Sequence, residues 1–447
     1  MTPIAVTTIR DLIRDRDASQ LARLAAKVHA SDWADIIHQL DDAELAELIS
    51  LVPDAARVEI LAEIDPGAAA QILEEQSADH SASILAAMDP DDATDVIAEM
   101  DDQRADEVLA ALPAEDSQTL RGLLAYPEST AGALMTPEFV AIAPSLRADQ
   151  AIEALRAIAA DAEVVNYVYV LDREDHLLGV LSLRNLVLAP PQTLVHDLMI
   201  SPAISVSASE QDQVAANLLR DRNLLALPVV DDDNRLLGVI THDDAQEVIE
   251  NELTEDYLKL AGTDAEEMER RNPLQIARLR LPWLFGTMAL ELLAGLVIHN
   301  FDHVLQQVIL LASFMPVISA ISGNVGLQAA AIVVRGLDTG HVTLADWKRH
   351  VGRELSTSLI MALSCGLVLG VVGAIWSQHL PFGLVIGGAM TASMLTAGLM
   401  GTVIPMVSKR LGFDPATTAG PFETAFQDIV GFGVFLWLAS LLIDFIS

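Results

Sequence analysis

The chain holds one cysteine, Cys365, which lies in an apolar run, so it has neither a disulfide framework nor a cysteine metal site. There is no HExxH motif and the 11 histidines are scattered, which removes the reading as an intramembrane zinc protease. The N-terminal MTPIAVTTIRDLI lacks the apolar core of a signal peptide, so the part that follows is expected to stay in the cytoplasm. Bases are scarce: 26 Lys and Arg stand against 63 Asp and Glu, a net charge of −37. Such a balance disfavours nucleic acid and anionic lipid as partners and attracts cations. Yet 52% of the 447 residues are hydrophobic. Position resolves the contrast, because residues 1–270 hold 54 acids and 17 bases whereas residues 271–447 hold 9 of each. An acidic soluble part precedes a membrane part, in a chain long enough for two or three domains.

From Asp41 to Leu124 the sequence repeats about every 12 residues, from DDAELAELISLV through DPDDATDVIAEM to PAEDSQTLRGLL. Each unit opens with Asp, Ser or Pro, which suit a helix N-cap or first turn, and then spaces apolar residues as a helix does. The pattern predicts short helices stacked into a small solenoid. Most of its acids belong to caps and solvated faces. Their density makes Asp91, Asp92 and Asp95 candidate weak cation ligands.

A second repeat follows. LLGVLSLRNL (177–186) returns as LLGVITHDDA (236–245), each after a β-rich run, VYVLD or LPVVD, with a helix expected around 148–160 and 209–221. Each unit reads strand, helix, strand, turn, strand, helix. With MTPEFVAIAPS, the two repeats resemble a tandem pair of cystathionine-β-synthase (CBS) domains. Such pairs are regulatory modules that often bind adenosine compounds or ions. The resemblance would position Tyr167 and Arg184 for a nucleotide such as ATP, while Asn185 and Leu224 stand where relatives can carry an acid and an aromatic. The acidic stretch 248–271 is helix-prone and leads to the membrane, with Glu252, Glu255 and Asp256 expected on its surface.

Five apolar segments come next, near 278–298, 304–334, 354–376, 382–408 and 421–446, each long enough to span a bilayer as a helix. Arg278 and Arg280 precede the first, Arg335, Lys348, Arg349 and Arg353 separate the second from the third, and Lys409 and Arg410 follow the fourth. The positive-inside rule then puts the N-terminus in the cytoplasm and the C-terminus outside. An odd count argues against an inverted repeat within one chain and towards a symmetric dimer. In the second segment Pro316 is expected to kink the helix, and Gly323 and Gly326 allow close backbone approach. Asn324 and Gln328 share a helical face, as packing groups or as part of a pore wall.

The last segment, Pro421 to Ile446, carries one acid well inside, Asp428, and no Lys or Arg. A carboxylate at membrane depth costs roughly 2.5–3.5 kcal/mol on insertion scales unless it faces water, an ion or a partner. It is either a structural acid between helices or a cation site lining a pore. Mg2+ sheds water reluctantly and is held through retained waters by one or two carboxylates, which one Asp per subunit at a two-fold axis would supply. Facing acidic surfaces in the soluble part would repel when the ion is scarce and be bridged when it is abundant, a feedback device if the compact arrangement binds the ion better.

RLPWL (280–284), SGNVGLQ (322–328), VRGL (334–337), KRLGFDPA (409–416) and GPFETAFQD (420–428), in this domain order, closely resemble the MgtE-type magnesium transporter family. The likeness covers nearly the whole chain. It implies a multidomain fold: an acidic helical domain (1–130), CBS domains (131–199 and 200–250), a connecting helix (251–275) and a five-helix transmembrane pore domain (276–447). It implies no enzyme but a homodimeric, Mg2+-selective channel in the plasma (inner) membrane, closed by cytosolic Mg2+. Asp428 would be the pore carboxylate, with Asn324 and Gly323 lining the pore. Asp91 and Asp95 would face Asp244 and Glu247 across Mg2+. Glu255 would meet Asp414 near the pore mouth, with Glu252 and Asp256 as further regulatory ligands. Ser322, Glu423, Ala425 and Asn223 depart from the family pattern. A magnesium or other divalent-cation exporter is the alternative, and a CBS-regulated channel for another ion is a weaker one.

Overall fold

The computed structural model of the protein describes residues 6–25, 33, 36, 37, 39, 40, 42–158, 166–263 and 273–443. It divides into two compact units, Met1–Glu250 and Asn251–Ser447.

In the first unit, α1 (Val6–Arg14) and α2 (Ala18–Ala25) precede a run of seven short helices. These are α3 (Asp42–Leu51), α4 (Asp54–Ala62), α5 (Pro66–Glu74), α6 (Ala78–Leu85), α7 (Pro90–Ala98), α8 (Asp102–Ala111) and α9 (Ala114–Leu123). Their first residues recur every 12 positions, which is the period of the sequence. Asp65 caps α5 by accepting from the Ala68 amide at 2.8 Å, and Ser77 caps α6 by accepting from the His80 amide at 3.3 Å. Pro66 and Pro90 sit in first turns, where the missing N–H has no helical partner to lose. Helices this short are marginal alone in water. They are held by stacking, α5 on α7, α6 on α8 and α7 on α9, around buried Ile60, Leu73, Leu85, Val96 and Val108.

The CBS pair follows as two three-stranded sheets of one design. The first comprises β1 (Ala141–Ile142), α10 (Ala148–Ile158), β2 (Tyr167–Leu171), β3 (Leu177–Ser182) and α11 (Leu183–Leu188), followed by α12 (Val195–Leu198). The second comprises β4 (Val206–Ser207), α13 (Asp212–Arg222), β5 (Ala226–Val230), β6 (Leu236–Thr241) and α14 (His242–Ala261). In each, a parallel pair joined through a crossover helix is extended by an antiparallel hairpin, with Tyr169 opposite Val180 and Pro228 opposite Val239. The hairpin turns match. Asp172 accepts from the amides of Glu174 and His176 at 2.8 and 3.0 Å, and Asp231 from those of Asp233 and Arg235 at 2.9 and 2.8 Å. The turns also join each other, Leu177 N donating to Asn234 O and Leu236 N to Asp175 O. The repeated LLGV has a physical cause. A Cβ on Gly179 would lie 2.7 Å from the Ile200 carbonyl oxygen, and one on Gly238 would lie 2.6 Å from that of Thr136. Backbone crosses each glycine, so no side chain fits.

The connecting helix expected over 251–275 is the C-terminal part of α14. That helix begins at His242 without a break at residue 250 and stops at Ala261, before Gly262 in the left-handed region. Residues 264–272 lie outside the described residues.

The second unit has five candidate membrane spans by length and apolar composition. The first is α15 (Pro273–Asn300). The second is not one helix. It comprises a 3-10 turn over Ile309–Ser313 and α17 (Met315–Asp338), and the short α16 (Asp302–Gln307) precedes it. Pro316 sits in the first turn of α17, so it starts the helix rather than kinking it. Then come α18 (Trp347–Ser377), α19 (Leu380–Leu411), the short α20 (Pro415–Ala419) and α21 (Pro421–Leu441). The expected last turn near Ile446 lies outside the described residues. Helix α19 is central and packs against α17, α18 and α21. Its contact with α18 runs along glycines, Gly383 against the Gly370 carbonyl and Gly387 against that of Gly366.

Gly238→Ala is expected to destabilise the CBS pair by about 1–3 kcal/mol through overpacking. Gly122→Ala, where an added Cβ meets nothing within 4 Å, should be neutral or stabilising. Urea titration of the two variants beside wild type checks this, and equal midpoints for wild type and Gly238→Ala would contradict it.

Candidate cation sites

Three helices converge on Asp428 in the membrane unit. The side chain is buried on α21, and the Ser319 hydroxyl of α17 donates to its Oδ1 at 2.6 Å. The Glu291 carboxyl of α15 lies beside the same group. Sequence alone gave Glu291 no role. It is a single acid in the middle of an apolar span, and that was the available signal. One turn before Asp428, Thr424 lies beside Gly323, where an added Cβ would be 3.5 Å from the threonine methyl. Gly323 therefore faces α21 within the chain. Asn324 and Gln328 lie on the other, exposed side of α17. Glu423 is 1% exposed, and neither of its oxygens has a hydrogen-bond partner.

In the first unit, Asp91 and Asp92 occupy the first turn of α7, where the helix dipole favours negative charge. Asp244 stands in the first turn of α14 and accepts from the Thr241 hydroxyl. Burial, and then the charge of Asp244, pushes Asp91 up to about 7. Burial, and then Asp91, pushes Asp92 up to about 8. Asp95 is pushed up to about 6 by burial and then by Glu247 and Asp244, although its side chain reaches solvent, which screens those charges. Burial chiefly raises Asp244 as well. One oxygen of Asp91 is buried without a partner. The structure thus brings together five acids named from the sequence: Asp91, Asp92, Asp95, Asp244 and Glu247. Among the described residues, no three His, Cys, Asp or Glu side chains converge closely enough to hold a bare metal ion. The acids are spaced to repel one another, and a cation that keeps its water shell suits that spacing.

The end of α14 belongs to the second unit. Here the resemblance implied Mg2+ between Glu255 and Asp414, and an ammonium stands in that place. Lys259 bridges the two acids, with Nζ 2.8 Å from Asp414 Oδ2 and in contact with Glu255 one turn back. Lys259 reads in sequence as an ordinary i,i+4 partner of Glu255, so nothing there pointed to Asp414. Burial would lower its pKa, but the bonds to Asp414 and Glu255 outweigh this and raise it. Burial would likewise raise Asp414, and the Lys259 bond with the Ala416 amide brings it below the usual carboxylate range. Asp414 also caps α20 through that amide at 2.8 Å. Asp256 is raised by burial and by its carboxyl neighbour Asp338, with Asp414 and Glu252 adding to the effect.

Tyr167 opens β2 and pairs in register with Ser182, and Arg184 follows two residues later on α11. Both therefore stand at one end of the first CBS sheet, Tyr167 half-buried and Arg184 exposed.

A soluble acidic solenoid, a CBS pair and five spans with a buried acid define a multi-pass membrane protein of the ion-transporting class. The MgtE divalent cation transporter family matches residues 315–438, the MgtE intracellular N domain matches 28–129, and CBS domains match 131–191 and 195–251. The chain is 38% identical to a magnesium transporter MgtE of Enterococcus faecalis, covering 73% of this chain and 72% of that protein. It is 33% identical to that of Bacillus subtilis, with 74% of each covered. Two solved structures resemble its soluble part, each over 55% of this chain. One is the soluble part of a magnesium transporter (TM-score 0.50, 30% identity, 97% of that chain). The other is the cytosolic domain of the Mg2+ channel MgtE in complex with ATP (TM-score 0.52, 29% identity, 100% of that chain). The chain belongs to the MgtE family, and its N-terminal domains are cytosolic.

The raised acids set a pH dependence. Their folded values lie above the unfolded value of about 3.9. The stability they contribute is therefore full below about pH 4 and is lost as pH rises through about 6 to 8. With chelator present, the urea midpoint of the acidic unit should fall across that window, and saturating Mg2+ should reduce the fall. A midpoint that ignores both pH and Mg2+ would count against the arrangement.

Proposed function

We propose that the chain is a Mg2+-selective channel for magnesium uptake across the plasma membrane, closed when cytosolic Mg2+ binds its acidic solenoid and CBS domains. The observation that carries this is Asp428, an acid at membrane depth held by Ser319, with a second acid, Glu291, beside it, on a helix with no Lys or Arg. A carboxylate so placed attracts a cation, and a ring of such acids is the usual device of cation selectivity. The names of the relatives support Mg2+ as that cation.

One Asp428 per chain becomes a pair in a homodimer, enough to hold a hydrated Mg2+ through its waters. The exposed face of α17 with Asn324 and Gln328 is then available to line the path or meet the second copy. Asp91, Asp95, Asp244 and Glu247 form the cytosolic sensor. Bound Mg2+ relieves their repulsion and favours the compact arrangement, which is the differential affinity that gating needs. Glu252, Glu255, Asp256 and Asp414 form a second regulatory group. The odd span count with the positive-inside rule supports a C-terminus on the outer side. An adenosine nucleotide such as ATP would bind at Tyr167 and Arg184.

In liposomes carrying the purified protein, Asp428→Asn should abolish Mg2+ flux while leaving the protein folded, and equal flux in mutant and wild type would make Asp428 structural. Neutralising Asp91 and Asp244 together (D91N, D244N) should give a channel that conducts but no longer closes in millimolar Mg2+. Retained closure would remove them as the sensor. Rescue of growth by external Mg2+, against tolerance of excess Mg2+, separates uptake from export.

A further inference from the structure

We infer that Glu423 forms a second intramembrane site for a hard divalent cation, distinct from Asp428 and on its cytoplasmic side. The inference rests on the channel reading for the identity of the ion and on the following geometry for the site. Glu423 precedes Asp428 by five residues on α21, about 7.5 Å along the helix axis. It lies nearer the basic connection at Lys409 and Arg410. Its carboxylate is 1% exposed, and both oxygens lack partners. One turn on, Gln427 is equally buried, and its carbonyl oxygen is also without a partner. The amide nitrogen of Gln427 is already engaged with Ser393 Oγ at 3.2 Å.

The unpartnered atoms of Glu423 and Gln427 are thus three oxygens, all acceptors. What would satisfy them is positive. No Lys or Arg occurs within residues 315–334, 380–408 or 421–441, the apolar lengths of the helices around Glu423, and the bases of α17 and α19 (Arg335, Lys409 and Arg410) lie in the last turns of those helices. The seat itself is cut from backbone. A Cβ on Gly326 would lie 2.2 Å from Glu423 Oε1, and a Cβ on Gly401 would lie 2.2 Å from the Gly326 carbonyl oxygen. The chain thus gives up a side chain on α17 where the carboxylate lies, and one on α19 where that helix crosses α17. A carboxylate with an amide oxygen suits Mg2+ or Mn2+, which take oxygen ligands and retain water. A cation leaving Asp428 towards the cytoplasm then meets a second carboxylate, as multi-site conduction requires.

The test is crystallographic, with Mn2+ as the probe in crystals of the full-length protein. An anomalous peak is expected at roughly 2–5 Å from Glu423 Oε, the range from direct to water-mediated contact. Glu423→Gln should lose that peak and keep the one at Asp428, Asp428→Asn should do the reverse, and Glu423→Asp should keep a weaker peak. If Glu423→Gln does not fold, the wild-type and Glu423→Asp maps decide. Absence of a peak at Glu423 when Asp428 is occupied would overturn the site and mark Glu423 as a carboxyl that keeps its proton. So would a peak that survives Glu423→Gln. A peak at Glu423 in a protein without Mg2+ flux would sink the channel reading and leave the site standing. Flux without the peak would do the opposite.

Discussion

A carboxylate moved out of water must find a cation, a donor or a proton, and much of this chain is arranged around acids that have been moved only part of the way. In the membrane unit Asp428 has one hydroxyl donor and a second carboxyl beside it. In the soluble unit Asp91, Asp92 and Asp95 crowd against Asp244 and Glu247. Both groups call for added positive charge, and no Lys or Arg is among the leading influences on Asp91, Asp92, Asp95 or Asp428. The scaffold supplies the rigidity that this needs. Left to itself, a flexible acidic segment would relax by moving its charges apart. The 12-residue solenoid fixes the start of α7, and the strand–turn–strand frame of the second CBS domain fixes the start of α14.

Much of this scaffold was legible in the sequence because it is repetitive. The 12-residue period predicts seven helices, and seven are present with starts at the expected places. The LLGV repeat marks equivalent strands, and its glycine is explained by the crossing backbone at Ile200 and Thr136. The membrane spans were legible as apolar runs, yet their ends were not. Hydropathy cannot see that the chain breaks at Ile309–Ser313, because apolar residues continue through the break. It also cannot tell a proline that opens a helix from one that bends it, and Pro316 opens α17.

The candidate site was legible where an acid stands out against an apolar background and obscure where partners come from afar. Asp428 is conspicuous, whereas Ser319, 109 positions earlier, is not. Lys259 reads as a surface helix residue until Asp414, 155 positions later, folds beside it. Glu423 is visible as a departure from the family pattern, but only the fold shows that both its oxygens are sealed in without a partner. Long-range pairing of polar groups leaves little trace in local pattern, because a lone Ser or Lys is common everywhere.

The ammonium of Lys259 sits between Glu255 and Asp414, two acids that the family resemblance assigns to a metal. A tethered cation is present at a local concentration that the cell cannot change, of the millimolar order that short tethers give. Any free divalent ion reaching these carboxylates must displace it. Under the proposed gating, Lys259 would be an internal competitor. That pair of acids would then answer to the ratio of free ion to tethered ion, with a floor below which ordinary fluctuations in ion supply leave the contact undisturbed.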